Sequence, residues 1–492
     1  MSDIYIEVYW LSGMEAYSYT AIPFSNYQSL PRLMTMSDII YSIRFDGEIE
    51  NQTVTITLSN HDRYFDTKMA GDPFIIERVV KIKNSTMTLF TGLVREMPDF
   101  SDENVIVLKV DIFSLIDREI NRAITKAQFS NCPSTNQGKF SNYVCGAADT
   151  YPSTFTAIRI DTEKFLAAWN HVSLISGVYD GETQITSFTV TYEPPLGYTY
   201  INCSSTSDEI TFSCQAPFKH SLEHEWDPPP LDNPATMLHV LLETTDCQVT
   251  INETNYEEAK QRFIDRYHTG NVYITGSTTI KTFLSDFAKS YNCFIRFNRD
   301  LELELIFTEY SIHPDLKIHP TYIKNFQKKH DTSYLTGAFT RKYHYLPASG
   351  EFKQTPADVI PLNPYNSKTT ELEQTYIIDD VTSYSLAHRE RYIKEKPLLY
   401  VNFEVPKTFT DQILPGDYIY IKHRRHFFPN EYRKILVMRI VSNRKKALDT
   451  IEGFDFSHIE MNCFKICDAS DPELNYIYET GNPANPVIGW AN

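Results

Sequence analysis

The stretches AGDPFIIERVVKI (residues 70–82) and LPGDYIYIKHRRHF (residues 414–427) contain the same short motif. In each, a Gly-Asp pair, Gly71-Asp72 or Gly416-Asp417, stands before a run of strand-forming residues. Glycine reaches positive φ without strain and aspartate accepts hydrogen bonds from nearby amides, so the pair is typical of a turn that opens a strand. Such turns are common, and the pair becomes informative only if its surroundings also recur.

The surroundings of the two pairs recur at near-equal spacing. Each set of landmarks consists of the end of an alternating strand, the glycine, an arginine and an aspartate. The intervals are 13, 24 and 16 residues in the first set and 11, 23 and 16 in the second. The sets are Leu58, Gly71, Arg95 and Asp111, and Val405, Gly416, Arg439 and Asp455. Two unrelated meanders could share ordinary turns, but the common register favours one β-barrel fold present twice in the chain.

The amino-acid composition limits the classes of protein to which the chain can belong. The chain has 492 residues, of which 42% are hydrophobic and 13% aromatic, so it can bury several cores. Its net charge of −17 disfavours adhesion to nucleic acid or to anionic membranes. No apolar run is long enough for a membrane-spanning helix, and the N-terminus does not resemble a targeting segment. The eight cysteines are widely scattered, unlike a small disulfide framework.

The pattern along the chain predicts a mainly β protein with a smaller α+β part. The segment TVTITLS (residues 53–59) alternates with the period of a half-buried strand. Asn233-Pro234 begins the first of three predicted helices, and a later one is expected to end at Gly270. A hairpin turns at residues 298–300. We predict a first barrel (1–124), an inserted β-rich domain (125–230), an α+β domain (231–320), a second barrel (321–457) and an extended C-terminal arm (458–492).

Groups that could carry chemistry lack the spacing that chemistry needs. Glu225 and Asp227 could serve a glycosidase, but the chain holds 63 acidic residues and a neighbouring pair is unremarkable. His220 and His224 are not in a zinc-binding order. The pairs Cys203/Cys214 and Cys463/Cys467 are wider than usual cluster ligands, although a metal or iron–sulfur cluster remains an alternative for them. We therefore predict no catalytic residue, cofactor or metal.

Two features suggest contacts between subunits. Lys422, Arg424 and Arg425 form the one basic cluster of an acidic chain. They either mark a solvated strand end or bind an acidic neighbouring subunit. The C-terminal arm contains three prolines and spaced apolar residues, among them Trp490. Such a segment suits pockets on a partner better than a core of its own.

Several stretches resemble the hub proteins at the tail tip or baseplate of tailed bacteriophages and related contractile injection machines. ENQTVTITLSNHDRYFD (residues 50–66) and LFTGLVREMPDFSDENVIVLKVDIFSLID (89–117) are similar to the strands and loop of the family's first tube-like domain. FSNCPSTNQGKFSNYVCG (129–146) resembles the entry to its inserted domain, with Cys145 replacing an apolar residue or tyrosine. SLAHRERYIKEK (385–396) and LPGDYIYIK (414–422) resemble the helix and strand of its second tube-like domain.

The resemblance implies a structural virion protein without enzymatic activity. Its members form a homotrimer whose six tube-like domains match a hexameric tail tube or distal tail protein. Further partners would be a fibre, spike or other tail-tip protein, with the tape-measure protein as another candidate. DNA would pass through the ring without specific binding, and no stable membrane insertion is expected. The protein would reside in the virion tail, assembled in the host cytoplasm. The alternatives are a cell-surface or carbohydrate-binding β adhesion module and, as a third class, a cell-wall hydrolase.

Overall fold

A computed structural model describes most of the chain. The described residues are 4–22, 28–50, 52–71, 75–100, 102–147, 155–172, 174–193, 197–216, 233–245, 247–266, 268–307, 316–355, 360–361, 368–394, 396–443 and 446–457.

The N-terminal region folds into a seven-stranded antiparallel sheet. Its order is β2-β1-β6-β7-β8-β5-β3, with a core of fully buried aliphatic and aromatic side chains on one face. In β5, Val54, Ile56 and Leu58 point into that core while the intervening threonines are partly exposed, as the alternation predicts. The elements are β1 (Tyr5–Trp10), β2 (Gly13–Ser18), β3 (Leu33–Met36), β4 (Ile39–Ser42), β5 (Thr53–Ser59), α1 (Tyr64–Gly71), β6 (Val79–Lys83), β7 (Thr88–Val94), β8 (Val105–Asp111) and α2 (Phe113–Ile116).

A second, nine-stranded sheet follows and shares the largest core of the molecule with the helices. Its main path is β13-β12-β16-β10-β11-β15-β14, and β9 joins β16 to the later strand β18. The elements are β9 (Tyr143–Ala147), β10 (Phe155–Asp161), β11 (Lys164–Ala168), β12 (Leu174–Asp180), β13 (Thr183–Gln184), β14 (Phe188–Glu193), β15 (Tyr198–Cys203) and β16 (Glu209–Ala216).

The first helix of the helical part has the predicted cap at its start. Asn233 accepts hydrogen bonds from the amides of Ala235 and Thr236, and Pro234 occupies the first turn of α3. Helix α4 ends at Asp265, so the prediction that it runs to Gly270 is wrong. The hairpin β19–β20 turns at residues 298–301 as expected. The elements are α3 (Pro234–Thr244), β17 (Thr250–Ile251), α4 (Glu253–Asp265), β18 (Asn271–Ile274), α5 (Ile280–Tyr291), β19 (Phe294–Phe297) and β20 (Glu302–Ile306).

The last described region contains a further sheet of order β21-β28-β29-β30-β27-β22 and a small four-stranded sheet beside α6. This sheet, which β4 also joins, has a different apolar cluster against each of its faces. The elements are β21 (Leu316–Ile318), β22 (Lys324–Asp331), β23 (Ala338–Leu346), β24 (Glu351–Gln354), β25 (Ile360–Pro361), β26 (Thr369–Gln374), α6 (Asp380–Lys394), β27 (Leu398–Pro406), α7 (Lys407–Thr410), β28 (Tyr418–Ile421), β29 (Arg433–Ser442) and β30 (Leu448–Asp455).

The first and last large sheets contain the same four-strand order. β6-β7-β8-β5 in one corresponds to β28-β29-β30-β27 in the other, and every neighbouring pair within each set is antiparallel. In both sets the strand that comes first in sequence, β5 or β27, lies at the end of the set and pairs with the strand that comes last, β8 or β30. The predicted fold class, mainly β with a smaller α+β part, is confirmed. The division into five domains stays a prediction, and residues 458–492 lie outside the described residues.

Candidate subunit and partner interfaces

The two similar sheets are joined by main-chain pairing. Strand β4 leaves the first region and pairs antiparallel with β29, so that Tyr41 lies opposite Ile440. The amide of Ile43 extends this pairing by donating to the carbonyl oxygen of Met438 at 3.0 Å. The Tyr41 hydroxyl donates to the carbonyl oxygen of Leu89 on β7 of the first sheet. One short strand therefore bonds both sheets.

An aromatic cluster fills the space behind this joint. The ring of Phe45, just after β4, lies 5.7 Å from the ring of Phe294 on β19 and 5.3 Å from that of Phe454 on β30. It also contacts Tyr334 edge to face at 4.9 Å. Rings at these distances and angles attract one another beyond simple burial. The N-terminal region, the hairpin and the last sheet thus share one core, which the sequence pattern did not predict.

The second Gly-Asp pair is built into the same joint. Gly416 has a φ of +99°, and a Cβ there would lie 2.8 Å from Cγ2 of Ile306 on β20. Asp417 is buried; its Oδ2 accepts from the amide of Leu414 at 2.8 Å, which closes the turn. Its Oδ1 accepts from Nη1 of Arg296 on β19 at 2.9 Å. The pair therefore opens β28, as predicted, and also fastens the hairpin to the sheet.

Arg296 is the buried partner of Asp417, and the sequence pattern did not predict it. It donates through Nε to Glu304 at 2.7 Å and through Nη1 to the carbonyl oxygen of Pro415 at 2.6 Å. Burial alone would lower the pKa of Arg296, but Asp417 and Glu304 together raise it above its ordinary value. The signal in the sequence was an arginine within an otherwise apolar strand, FIRF. Charged side chains are rarely buried unless paired.

Gly71, of the first Gly-Asp pair, lies in a different local structure. Gly71 is the last residue of α1, and Asp72 lies outside the described residues. Strand β6 starts only at Val79. The prediction that Gly71 and Gly416 play the same part in opening a strand is therefore wrong: the chain forms a helical turn in the first region where the second has a tight turn.

The aspartate landmarks match in register, whereas the arginine landmarks differ in partner. Asp111 ends β8 and lies opposite Thr53 and Leu93; Asp455 ends β30 and lies opposite Leu399 and Ile435. In the first sheet, Arg95 Nε lies 3.5 Å from Asp111.

In the last sheet, Arg439 instead bonds Glu452 at 3.1 Å, because a register shift between Val437 and Arg439 moves it along the strand. Asp455 is bonded by Nε of Arg433 at 3.0 Å, and Nε2 of His426 lies 3.3 Å from it. Burial raises the pKa of Asp455, but His426, Ser457 and Arg433 outweigh that effect and lower it to about 2.

The basic cluster lies in the loop between β28 and β29. His423 stacks on Phe326, with ring centroids 4.4 Å apart, and burial together with Arg424 and Arg425 lowers its pKa. Lys422 is partly buried, whereas Arg424 and Arg425 are exposed. Next to the loop is a cleft of about 420 Å³, lined mainly by residues 320–326 and 423–425. The predicted role of Lys422, Arg424 and Arg425 in an interface stays a prediction.

Most of the remaining candidates lie outside the part of the chain that the structure describes. Glu225, Asp227, His220, His224, Cys463, Cys467 and Trp490 lie outside the described residues. Cys203 and Cys214 are buried free thiols whose pKa values burial raises. Within the described ranges, no group of three or more His, Cys, Asp or Glu side chains is arranged to hold a metal ion. No helix in this part of the chain is long and apolar enough to span a membrane.

No protein-family model and no curated protein sequence matches the chain. Several solved structures do. A 43 kDa tail protein of prophage MuSo2 from Shewanella oneidensis is 10% identical, with 93% of this chain and 98% of that chain covered and a TM-score of 0.42. A tail protein from Neisseria meningitidis MC58 is 9% identical, with coverages of 92% and 96% and a TM-score of 0.43.

The prophage tail protein gp18 from Listeria monocytogenes EGD-e is 10% identical, with coverages of 95% and 99% and a TM-score of 0.42. All three are described as tail proteins, two of them from prophages. At these identities and TM-scores the matches assign no function to this chain.

Proposed function

We propose that the chain is a structural protein of a phage tail or related injection machine and forms a trimeric hub at the distal end of the tail tube. The observation that carries the proposal is the four-strand order that occurs twice, in β6-β7-β8-β5 and in β28-β29-β30-β27. Three chains with two similar sheets each present six similar units. Such a ring can face a hexameric tube on one side and a threefold tip on the other.

The joint between the sheets supports this arrangement. Because β4 pairs with β29 and Phe45 packs against Phe454, the two units of one chain are held at a fixed angle. A ring that alternates contacts within and between chains needs such rigidity, since flexible units would not close reproducibly. In this proposal the ring docks on the tail tube or a distal tail protein and carries a fibre, spike or other tip protein, with the tape-measure protein as a further neighbour.

The charge of the chain suits a channel for DNA. A net charge of −17 on each subunit repels phosphate groups, so DNA would pass without being retained. In this proposal acidic side chains outnumber basic ones on the surface that faces the ring axis. The chain acts as a structural element and not as an enzyme, and its place is the virion tail.

Native mass spectrometry and negative-stain imaging of the purified chain test the proposal. We expect a species of three chains and a ring with six similar lobes. An adhesion module would give a monomer or an elongated particle without those lobes, and a hydrolase would release soluble fragments from purified cell wall. Either result in place of the ring would contradict the hub.

A further inference from the structure

The end of the last sheet brings the basic loop close to the point where the described chain ends. β28 ends at Ile421, which pairs with Arg433 at the start of β29. β30 ends at Asp455, opposite Ile435 on the same strand. Two residues later, Ser457 Oγ accepts a hydrogen bond from the amide of Lys434 at 2.8 Å. The chain therefore continues from the same end of the sheet that carries the loop after Ile421.

The cleft beside this loop is chemically distinctive. Lys324, His423, Arg424 and Arg425 contribute positive or titratable groups to its wall, and Phe326 with the stacked His423 ring contributes a flat apolar surface. Among the residues that the structure describes, neither Arg424 nor Arg425 forms an ion pair. A groove of this kind suits an extended acidic segment that also carries aromatic side chains.

The continuation of the chain has that chemistry. Residues 468–479 read DASDPELNYIYE and contain four carboxylates and two tyrosines but no lysine or arginine. Strands lie about 4.8 Å apart, so the loop after Ile421 is roughly 10 Å from Ser457 across β29. The 11 residues from Ser457 to Asp468 can span up to about 36 Å when extended. The segment can reach the cleft of its own chain with length to spare.

We propose that residues 468–479 bind in the basic cleft of their own chain. The carboxylates of this segment pair with Arg424, Arg425 and Lys324, and its tyrosines pack against the Phe326–His423 stack. The cleft thereby fixes the proximal half of the C-terminal arm, while the last 13 residues, which include Trp490, continue beyond it. This inference concerns the isolated chain and does not depend on the proposed hub.

Zero-length cross-linking with a carbodiimide tests the proposal, because this reagent joins a lysine amine only to a carboxylate in contact with it. Full-length chain is treated at a concentration at which native mass spectrometry detects single chains. We expect Lys324 to be joined to a carboxylate within residues 468–479. The yield should fall about fivefold or more in R424E/R425E, and also in about 0.5 M salt, since the attraction is electrostatic.

K126E/K446E is the matched control. It reverses two exposed positive charges elsewhere and changes the net charge equally, so its cross-link yield should equal that of the wild type. Unchanged far-UV circular dichroism shows that both variants are folded. A mixture of normal and heavy-isotope chains identifies the donor: mixed cross-links would assign the cleft to the arm of a second copy and overturn the proposal. Lack of the Lys324 cross-link, or equal yields in R424E/R425E and the control, would overturn it as well.

Discussion

At the scale of single residues, Asp417 explains why a Gly-Asp pair stands at the head of β28. Its side chain closes the turn through Leu414 and neutralises the buried guanidinium of Arg296, which lies 121 positions earlier in the sequence. The turn chemistry of Asp417 could be predicted from its neighbours. The ion pair could not, because no local pattern indicates which strand will approach from so far away.

We expect D417N to destabilise the protein by about 3 kcal/mol, because it removes a charge partner from a buried arginine. Urea denaturation followed by circular dichroism measures the change. E103Q provides the matched control, since Glu103 pairs with Arg63 on the surface and its loss should cost less than about 0.5 kcal/mol. Equal stabilities of the two variants would show that Arg296 has another source of compensation.

Asp455 makes the free energy of unfolding depend on pH in the acid range. Its pKa of about 2 lies below the ordinary value, so the unfolded chain takes up this proton first as the pH falls. The stabilisation is complete above about pH 4 and is lost as the pH falls towards 2, a contribution of about 2 kcal/mol. D455N should therefore be less stable than the wild type at pH 7, with the difference shrinking towards pH 2. Urea midpoints at several pH values measure this, and a difference independent of pH would contradict it.

At the scale of elements, strongly periodic segments were predictable. The alternation in β5 and β27 and the helical spacing in α5 reflect one buried face, and burial selects those residues directly. Helix α1 was not predicted, because its eight residues include only one buried side chain, Phe65, and so carry no periodic signal. The start of β6 at Val79 was also not predicted, because the segment PFII resembles a strand in sequence but precedes the paired residues.

The pairing of β4 with β29 predicts a specific defect. In I43P the amide that donates to the Met438 carbonyl is lost, and we expect a cost of about 3 kcal/mol or more. The conservative I43V keeps this hydrogen bond and should cost only about 1 kcal/mol. Because β4 couples two sheets, I43P should also split the urea transition into two steps. A single transition at the midpoint of I43V would show that side-chain packing alone holds the joint.

At the scale of the whole molecule, the duplicated strand order was the part of the architecture that spacing indicated. The spacing could suggest a repeat because each copy needs similar strand lengths and turns. It could not show that the copies share a core, since Phe45, Phe294 and Phe454 come from three distant segments. It also gave no reason to expect β9 and β18 to join the inserted sheet to the helical part.

The distal end of the chain provides a prediction about association. We expect W490A to raise the dissociation constant of the proposed trimer about tenfold or more, since a large aromatic anchor buried in a partner contributes a few kcal/mol. Sedimentation at graded concentrations measures this. I264A removes an exposed apolar side chain on α4 and should leave association unchanged. Equal association of W490A and wild type would exclude Trp490 from the contact between subunits.

The pairing of β4 with β29 also delays the completion of the fold during biosynthesis. The partner of β4 on β29 emerges from the ribosome roughly 400 residues later. At about 5–20 residues per second, β4 waits some 20–80 seconds for the segment that it must pair with. During that interval its apolar side chains and unpaired main chain are available to a chaperone. A chain released early by a nonsense codon lacks β29 altogether and leaves β4 without its partner strand. The last sheet can therefore be completed only after β29 and β30 have been translated, so that a message truncated before them yields chains in which this sheet cannot form.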